Sequence, residues 1–165
     1  MQESPYLKER GDMVNKFKKI PFFKAVHENF IKRILSLSKI RTYDPGETIA
    51  REGELDSWVY VIIDGEVRVV KHGKEIARMD YNKSGTFGEL AAIDGEARSA
   101  SVIAVTRTVC LATDATFLSG VTPQERDAFF SVFYRLLAEV LASRLRSTDE
   151  ELIRLKDELE RLKQA

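Results

Sequence analysis

Residues 85–102 contain the side chains best suited to holding a charged ligand. Gly88 has no Cβ, so another group can approach its backbone closely. A short helix predicted over residues 88–93 would turn free N–H groups towards an anion. Arg98 follows ten residues after Gly88, and a guanidinium can hold a phosphate through two parallel charge-assisted hydrogen bonds. Ser99 adds a hydroxyl and an N–H, so the segment predicts an anion-binding cradle.

Glu89 lies in the same segment and carries a charge that would repel a phosphate. Its carboxylate suits a neutral hydroxyl donor, such as a ribose. A loop that offers both an anion cradle and a hydroxyl acceptor fits a nucleotide with one phosphate charge. The simpler interpretation is a surface Glu–Arg ion pair. That pair alone would not require Phe87-Gly88 before it and Ser99-Ala100 after it.

The elements that must position this segment are short strands. Strands are predicted over 41–43, 47–51, 57–63, 66–70, 75–79, 101–105 and 107–112. Asp64-Gly65, between two β-rich runs, is typical of a two-residue hairpin, and Gly73 marks a second hairpin. Several short strands separated by turns indicate a sandwich or a barrel.

Helical periodicity flanks the strands on both sides. Helices are predicted over 12–20, 26–37 and 115–121, and a long one begins at Thr122-Pro123, where a cap precedes a proline in the first turn. The predicted fold is α+β: a jelly-roll-like antiparallel β-sandwich with N-terminal helices and a long C-terminal helix ending in a coiled coil. The predicted divisions are N-terminal helices over 1–38, the β-sandwich over 39–121 and the long helix over 122–165.

The long helix carries a heptad repeat. Its a positions are Ala138, Leu145, Leu152 and Leu159, and its d positions are Tyr134, Leu141, Thr148, Leu155 and Leu162. A parallel pair would join g and e residues of opposite charge, namely Arg144 to Asp149, Glu151 to Lys156 and Glu158 to Lys163. An antiparallel pair would bring like charges together. We therefore expect a parallel homo-oligomer, most simply a homodimer, although leucine at both positions does not decide between dimer and trimer.

Thr148 is the polar residue of the seam between Leu141 and Leu162. A polar residue at a d position lowers the stability of a coiled coil. Two explanations stay open at this point: a threonine that sets the register or is merely tolerated, and a threonine with a further contact.

The segment 85–102 resembles the phosphate-binding cassette of cyclic nucleotide-binding domains. The resemblance rests on Phe87-Gly-Glu-Leu-Ala and Arg98-Ser-Ala-Ser-Val, and it extends from about residue 15 to residue 150. Weaker matches are Pro21-Phe-Phe, Asp44-Pro-Gly-Glu, Arg51-Glu-Gly-Glu and Asp64-Gly-Glu-Val. The family includes bacterial catabolite activators, regulatory subunits of cyclic-AMP-dependent kinases and cyclic-nucleotide-gated channels.

The resemblance implies a role for each matching residue. Glu89 would accept the ribose 2′-hydroxyl, and Arg98 with Ser99 would hold the cyclic phosphate. Backbone groups would come from Gly88, Leu90 and Ala100. Thr148 falls where the activators have a threonine that contacts adenine, which would explain a polar residue in the seam. Asp149 replaces a serine that reaches from the partner subunit in the activators, which puts that contact in doubt.

The function implied is a regulatory module that binds a cyclic nucleotide and signals to an unknown effector protein through its dimer helix. We expect cyclic AMP as the ligand, with cyclic GMP as the alternative, and no further cofactor. Two other hypotheses stay open. The first is a ligand-independent dimerisation or scaffold module with an unused cassette. The second is a subunit whose effector is another chain, such as a kinase or a channel.

Composition excludes several other classes. The 26 Lys and Arg residues balance the 26 Asp and Glu residues, which argues against a dedicated nucleic-acid binder. The residues after Thr148 continue the heptad, so we expect no direct DNA binding. Two histidines, His27 and His72, and the single Cys110 provide no clustered metal ligands, and we expect neither a metal site nor a catalytic residue.

The location follows from similar observations. The longest apolar run, Trp58–Ile63, is too short to cross a membrane, and the N-terminus has no signal-peptide pattern. A single cysteine forms no internal disulfide, so we expect a cytoplasmic protein with no membrane contact. The basic excess over residues 6–41 is interpreted as a solvated face, with a partner-docking surface as the alternative.

Overall fold

A computed structural model describes residues 1–7, 13–24, 26–82, 85–114, 116 and 122–164. The contacts divide the chain into two units, Met1–Phe129 and Phe130–Ala165. The first unit contains all the described strands, and the second belongs to one long helix. The segment boundaries predicted after residues 38 and 121 remain predictions.

The N-terminal helices are shorter than the periodicity predicts. Helix α1 spans Val14–Phe17 and a 3-10 helix spans Pro21–Phe23, while residues 8–12 lie outside the described part. Helix α2 spans Glu28–Ser36 and begins at His27, whose Nδ1 accepts a hydrogen bond from the Asn29 N–H at 3.3 Å. This cap explains why α2 starts after Val26. The helix predicted over 115–121 also lies outside the described residues, except for Thr116.

The seven predicted strands are all present, with ends that differ by up to three residues. In chain order the strands are β1 Gln2–Glu3, β2 Ser38–Tyr43, β3 Thr48–Ala50, β4 Trp58–Asp64, β5 Glu66–Lys71, β6 Lys74–Asp80, β7 Thr86–Phe87, β8 Ser101–Ala104 and β9 Thr108–Asp114. The sequence pattern missed β1 and β7. Each contains two residues, which is too short for a visible alternation of apolar and polar side chains.

The strands form two antiparallel sheets. One sheet has the order β1-β2-β9-β4-β7, and the other has the order β3-β8-β5-β6. Side chains of both sheets form one apolar cluster that includes Tyr43, Tyr60, Ile62, Val67 and Cys110. The predicted antiparallel β-sandwich with flanking helices is therefore confirmed.

Helix α4 spans Pro123–Gln164. A capping box begins it: the Glu125 N–H donates to the Thr122 hydroxyl at 3.3 Å, and the Thr122 N–H donates to the Glu125 carboxylate at 2.9 Å. The Glu125 carboxylate accepts hydrogen bonds from the Thr122 N–H and the Thr122 hydroxyl, and these bonds, the backbone one first, lower the pKa of Glu125. The cap predicted at this position is thus present.

The two halves of α4 differ in exposure. Phe133, Leu136 and Leu137 are buried, whereas the predicted seam residues Leu145, Leu152, Leu155, Leu159 and Leu162 are all exposed. The coiled coil stays a prediction. None of the described helices is both long enough and apolar enough to span a bilayer.

Candidate functional site

The predicted cassette forms a strand, a tight turn and one short helix. Strand β7 ends at Phe87, and helix α3 spans Glu89–Asp94. Gly88 joins them in the left-handed conformation with a φ of +87°. A Cβ built on Gly88 would lie 2.5 Å from the Trp58 carbonyl oxygen and would also meet Nη1 of Arg98. The Arg98 guanidinium and the Trp58 carbonyl therefore both lie close to the backbone of Gly88.

The Arg98 side chain is buried, with 4% of the residue exposed. Its Nη1 donates to the Gly88 carbonyl oxygen at 3.0 Å, and its Nη2 donates to the Trp58 carbonyl oxygen at 2.6 Å. Its Nε donates to one carboxylate oxygen of Asp56 at 2.9 Å, and Nη2 also donates to the other. Four of the five N–H groups of the guanidinium thus have partners within this cluster.

Backbone hydrogen bonds fix the position of Arg98. Its N–H donates to the Glu54 carbonyl oxygen, and its own carbonyl oxygen accepts from the Gly53 N–H, both at 2.9 Å. The Glu52 N–H donates to the Ser101 hydroxyl at 2.9 Å. The turn at residues 52–54 therefore anchors the cassette, although the two segments are more than 40 residues apart in the sequence.

The other predicted cassette residues differ in exposure. Glu89, the first residue of α3, is 1% exposed, whereas Leu90 is 41% exposed. Ser99 is exposed and Ala100 is half-buried. The structure thus brings Gly88, Glu89 and Leu90 together with Arg98, Ser99 and Ala100. Thr148 belongs to the second unit, where it is an exposed residue of α4.

Sequence reasoning missed three residues of this site. Asp56 precedes β4 and pairs with Arg98, while Trp58 contributes its carbonyl oxygen. The Arg98 guanidinium carbon also lies 5.8 Å from the centroid of the Tyr60 ring, which stacks on Phe87. No local motif marks these residues, because the contacts between Asp56 and Arg98 join positions 42 residues apart.

Asp56 uses the guanidinium edge that a phosphate would need. A carboxylate and a phosphate both accept two parallel N–H bonds from the edge of a guanidinium. In this structure the Asp56 carboxylate occupies that edge of the Arg98 guanidinium. Among the described residues, no group of three or more His, Cys, Asp or Glu side chains is arranged to hold a metal.

A family model for the cyclic nucleotide-binding domain matches residues 40–122, which include the cassette and eight of the nine described strands in whole or in part. The chain belongs to the cyclic nucleotide-binding domain family. Curated relatives agree with this placement. A cGMP-dependent protein kinase of Plasmodium berghei is 36% identical over 86 residues, covering 52% of this chain and 10% of the kinase.

A second relative is the cAMP-dependent protein kinase regulatory subunit of Schizosaccharomyces pombe. It is 33% identical over 88 residues, covering 53% of this chain and 21% of that subunit. The chain therefore spans only about a tenth to a fifth of the length of these two relatives. The family to which the chain belongs is a cyclic nucleotide-binding regulatory domain.

Solved structures of cyclic nucleotide-binding domains share the fold. A domain from Methylobacillus flagellatus superimposes with a TM-score of 0.72 at 22% identity, covering 92% of this chain and 87% of the other. The regulatory subunit of a cAMP-independent protein kinase A from Trypanosoma brucei has a TM-score of 0.62 at 23% identity, covering 82% of this chain and 50% of the other. At these identities the likeness extends to the fold alone.

Proposed function

We propose that this cyclic nucleotide-binding domain is a regulatory module that binds cyclic AMP and signals through a dimer of its C-terminal helices. The observation that carries the proposal is the buried Arg98 guanidinium, held against Gly88 and already engaged with an oxyanion. A buried arginine with a bidentate carboxylate has the geometry that also recognises a phosphate.

This geometry supports the assignment of ligand groups that the family resemblance implies. The cyclic phosphate replaces the Asp56 carboxylate on Arg98, with Ser99 and the backbone at Ala100 beside it. The buried Glu89 accepts a ribose hydroxyl, and the backbone of Gly88 and Leu90 lines the same turn. Cyclic AMP rather than cyclic GMP is proposed because Ser99 follows the cassette arginine, at the position where a threonine in the family often accompanies cyclic GMP.

The dimer part of the proposal is supported by α4. Five leucines of one heptad seam are exposed in the single chain, and burial against a second helix would remove that apolar surface from water. The g and e residues of a parallel pair carry opposite charges along the seam. A ligand shifts such a dimer only if it binds one arrangement of the helices more tightly than another. We further propose a cytoplasmic, non-catalytic role and an effector protein as the partner.

Thermal melting with cyclic AMP, cyclic GMP and linear 5′-AMP tests the ligand. A ligand at 100 times its dissociation constant stabilises the domain by about 2.7 kcal/mol, which is several degrees for this size. We expect a shift with cyclic AMP and none with 5′-AMP. An equal or larger shift with cyclic GMP would overturn the base assignment.

Two arginine variants test the site. Arg98→Lys keeps the charge but loses the bidentate edge, so the shift with cyclic AMP should disappear. Arg107→Lys makes the same change at an exposed arginine and should leave the shift intact. A normal shift in Arg98→Lys would show that the phosphate binds elsewhere.

A second candidate function is a ligand-independent dimerisation module. The observation that favours it is the Asp56–Arg98 pair, which neutralises the guanidinium without any ligand. This function requires a dimer through α4 and a melting temperature that no cyclic nucleotide changes. The same melting series therefore separates the two candidates.

A further inference from the structure

The side chain of Tyr60 lies on the inner face of β4. It is buried and belongs to the apolar cluster between the two sheets. In the strand register Tyr60 is opposite Phe87 on β7, and the two rings stack with their centroids 4.9 Å apart. Phe87 is the residue immediately before Gly88. The Tyr60 ring therefore packs on the residue that leads into the cassette turn.

Tyr60 also lies close to the guanidinium of Arg98. The guanidinium carbon is 5.8 Å from the centroid of the Tyr60 ring, a distance at which the negative face of an aromatic ring attracts a cation. Arg98 further donates to the carbonyl oxygens of Gly88 and Trp58. The contacts of Arg98 are thus of two kinds. One is the partly exposed carboxylate of Asp56, and the other is a buried ring with two backbone carbonyls.

A second arginine holds the other end of the Tyr60 side chain. Arg41 on β2 donates from Nη1 to the Tyr60 hydroxyl at 2.8 Å, and its guanidinium carbon lies 3.9 Å from the centroid of the Trp58 ring. The Nε of Arg41 donates to the carboxylate of Glu3 at 2.6 Å. The Tyr60 side chain is therefore fixed at its ring by Phe87 and at its hydroxyl by Arg41.

We propose that Tyr60 is a positioning residue: its ring keeps the Arg98 guanidinium in the cassette while a phosphate takes the place of the Asp56 carboxylate. This role rests on the proposed function, in which Arg98 binds the phosphate. In that exchange Arg98 gives up its hydrogen bonds to Asp56, and the two carbonyl oxygens and the ring remain. Without the ring the guanidinium is freer to stay with Asp56, so the carboxylate competes better against a ligand.

Calorimetric titration of the full chain with cyclic AMP tests this role. Tyr60→Phe keeps the ring and loses the bond from Arg41, so the affinity should stay within about threefold of the wild type. Tyr60→Leu removes the ring and should weaken binding by about tenfold or more. Ile62→Ala is the matched control, because Ile62 is a fully buried residue of the same strand and the same cluster. It should lower the melting temperature and leave the affinity unchanged.

Fluorination changes the charge distribution of the ring while keeping its shape. A series of phenylalanines with increasing ring fluorination at position 60 weakens the negative face step by step, so the affinity should fall step by step. The same series at position 23 replaces Phe23, a fully buried ring that packs edge-on against Phe17, and should leave the affinity unchanged. This series tests the proposal even if circular dichroism shows that Tyr60→Leu does not fold.

NMR spectra of the ligand-free chain test Tyr60 separately from the proposed function. They are recorded with Asp56→Asn, which removes the carboxylate that otherwise holds the guanidinium. The Nε–Hε resonance of Arg98, assigned by its absence in Arg98→Lys, should be sharp with Tyr60 and broadened with Tyr60→Leu. A wild-type chain that binds no cyclic AMP would contradict the proposed function, and the resonance would still decide whether Tyr60 holds Arg98.

Three results would overturn the positioning role. The first is an unchanged affinity in a folded Tyr60→Leu variant, or an equal loss in Ile62→Ala, which would mean a general effect of the core. The second is an affinity that does not follow fluorination at position 60, or follows it equally at position 23. The third is an Arg98 resonance that stays as sharp with Tyr60→Leu as with Tyr60.

Discussion

Asp56 and Arg98 form a bidentate ion pair across 42 residues of sequence, and the arginine of this pair is the residue that the cassette motif assigns to phosphate. Arg98 is 3% exposed at its side chain, whereas Asp56 is 30% exposed. The buried cation thus has a partner that is partly exposed to solvent. Under the proposed function, binding of a phosphate at this site would exchange one oxyanion for another.

The exchange makes a prediction for Asp56→Asn. Without its carboxylate, Arg98 loses its charged partner, and the free domain should lose about 1–3 kcal/mol of stability, below the value for a fully buried pair because Asp56 is partly solvated. A cyclic nucleotide then has no competitor, so its affinity should rise by about tenfold, or about 1.4 kcal/mol. Calorimetric titration checks this, with Asp64→Asn, an exposed carboxylate at the end of β4, as the control. A weaker affinity would show that Asp56 orients Arg98 for the ligand.

Gly88 and Gly95 provide a matched pair of substitutions to alanine. Both have a positive φ, +87° and +73°, but an added Cβ meets Arg98 and the Trp58 carbonyl only at Gly88 and has nothing within 4 Å at Gly95. Gly95→Ala should lower the free energy of unfolding by about 1–2 kcal/mol, which is the cost of an alanine in the left-handed conformation. Gly88→Ala should lower the free energy of unfolding by about 1–3 kcal/mol more than Gly95→Ala, because the turn must shift. It should also impair ligand binding. Chemical denaturation measures the free energy of unfolding of both variants. Equal losses in the two variants would contradict the close approach at Gly88.

The proposed dimer predicts different effects for two adjacent residues of α4. Leu152 is at an a position and Ile153 is next to the seam, yet both are exposed, at 48% and 60%. Leu152→Glu buries a charge in a paired helix and should yield a monomer. The Ile153→Glu variant should still form a dimer. Light scattering after gel filtration gives both masses, and the dimer is refuted if the wild-type chain is itself monomeric at high concentration.

Cys110 should be unreactive in the folded protein. The residue is fully buried on β9, and burial raises the pKa of its thiol to about 12. The thiolate is the reactive form, so its population at neutral pH is negligible. Labelling with a chromogenic disulfide should be slow in buffer and fast in denaturant. Fast labelling of the native protein would mean that the core around β9 opens readily.

The sequence by itself determined most of the elements and the family. Turn residues such as Asp64-Gly65 bound the strands, and helical periodicity marked α2 and α4, because these signals depend on neighbours a few residues away. The cassette was also visible, since Gly88, Glu89, Arg98 and Ser99 lie within one short segment. The predicted helix ends were less accurate than the helices themselves. A capping side chain such as His27 decides where a helix begins, and apolar periodicity does not report capping.

Only the tertiary structure decided what faces the functional side chains. Asp56 becomes the partner of Arg98, and Glu3 becomes the partner of Lys39 and Arg41, through strand pairing that brings distant positions together. Two-residue strands such as β1 gain their stability from the edge they join, so their own residues carry no pattern. A local pattern records which residues can form an element, whereas burial and charge pairing depend on register and sheet order, which arise when the whole chain packs.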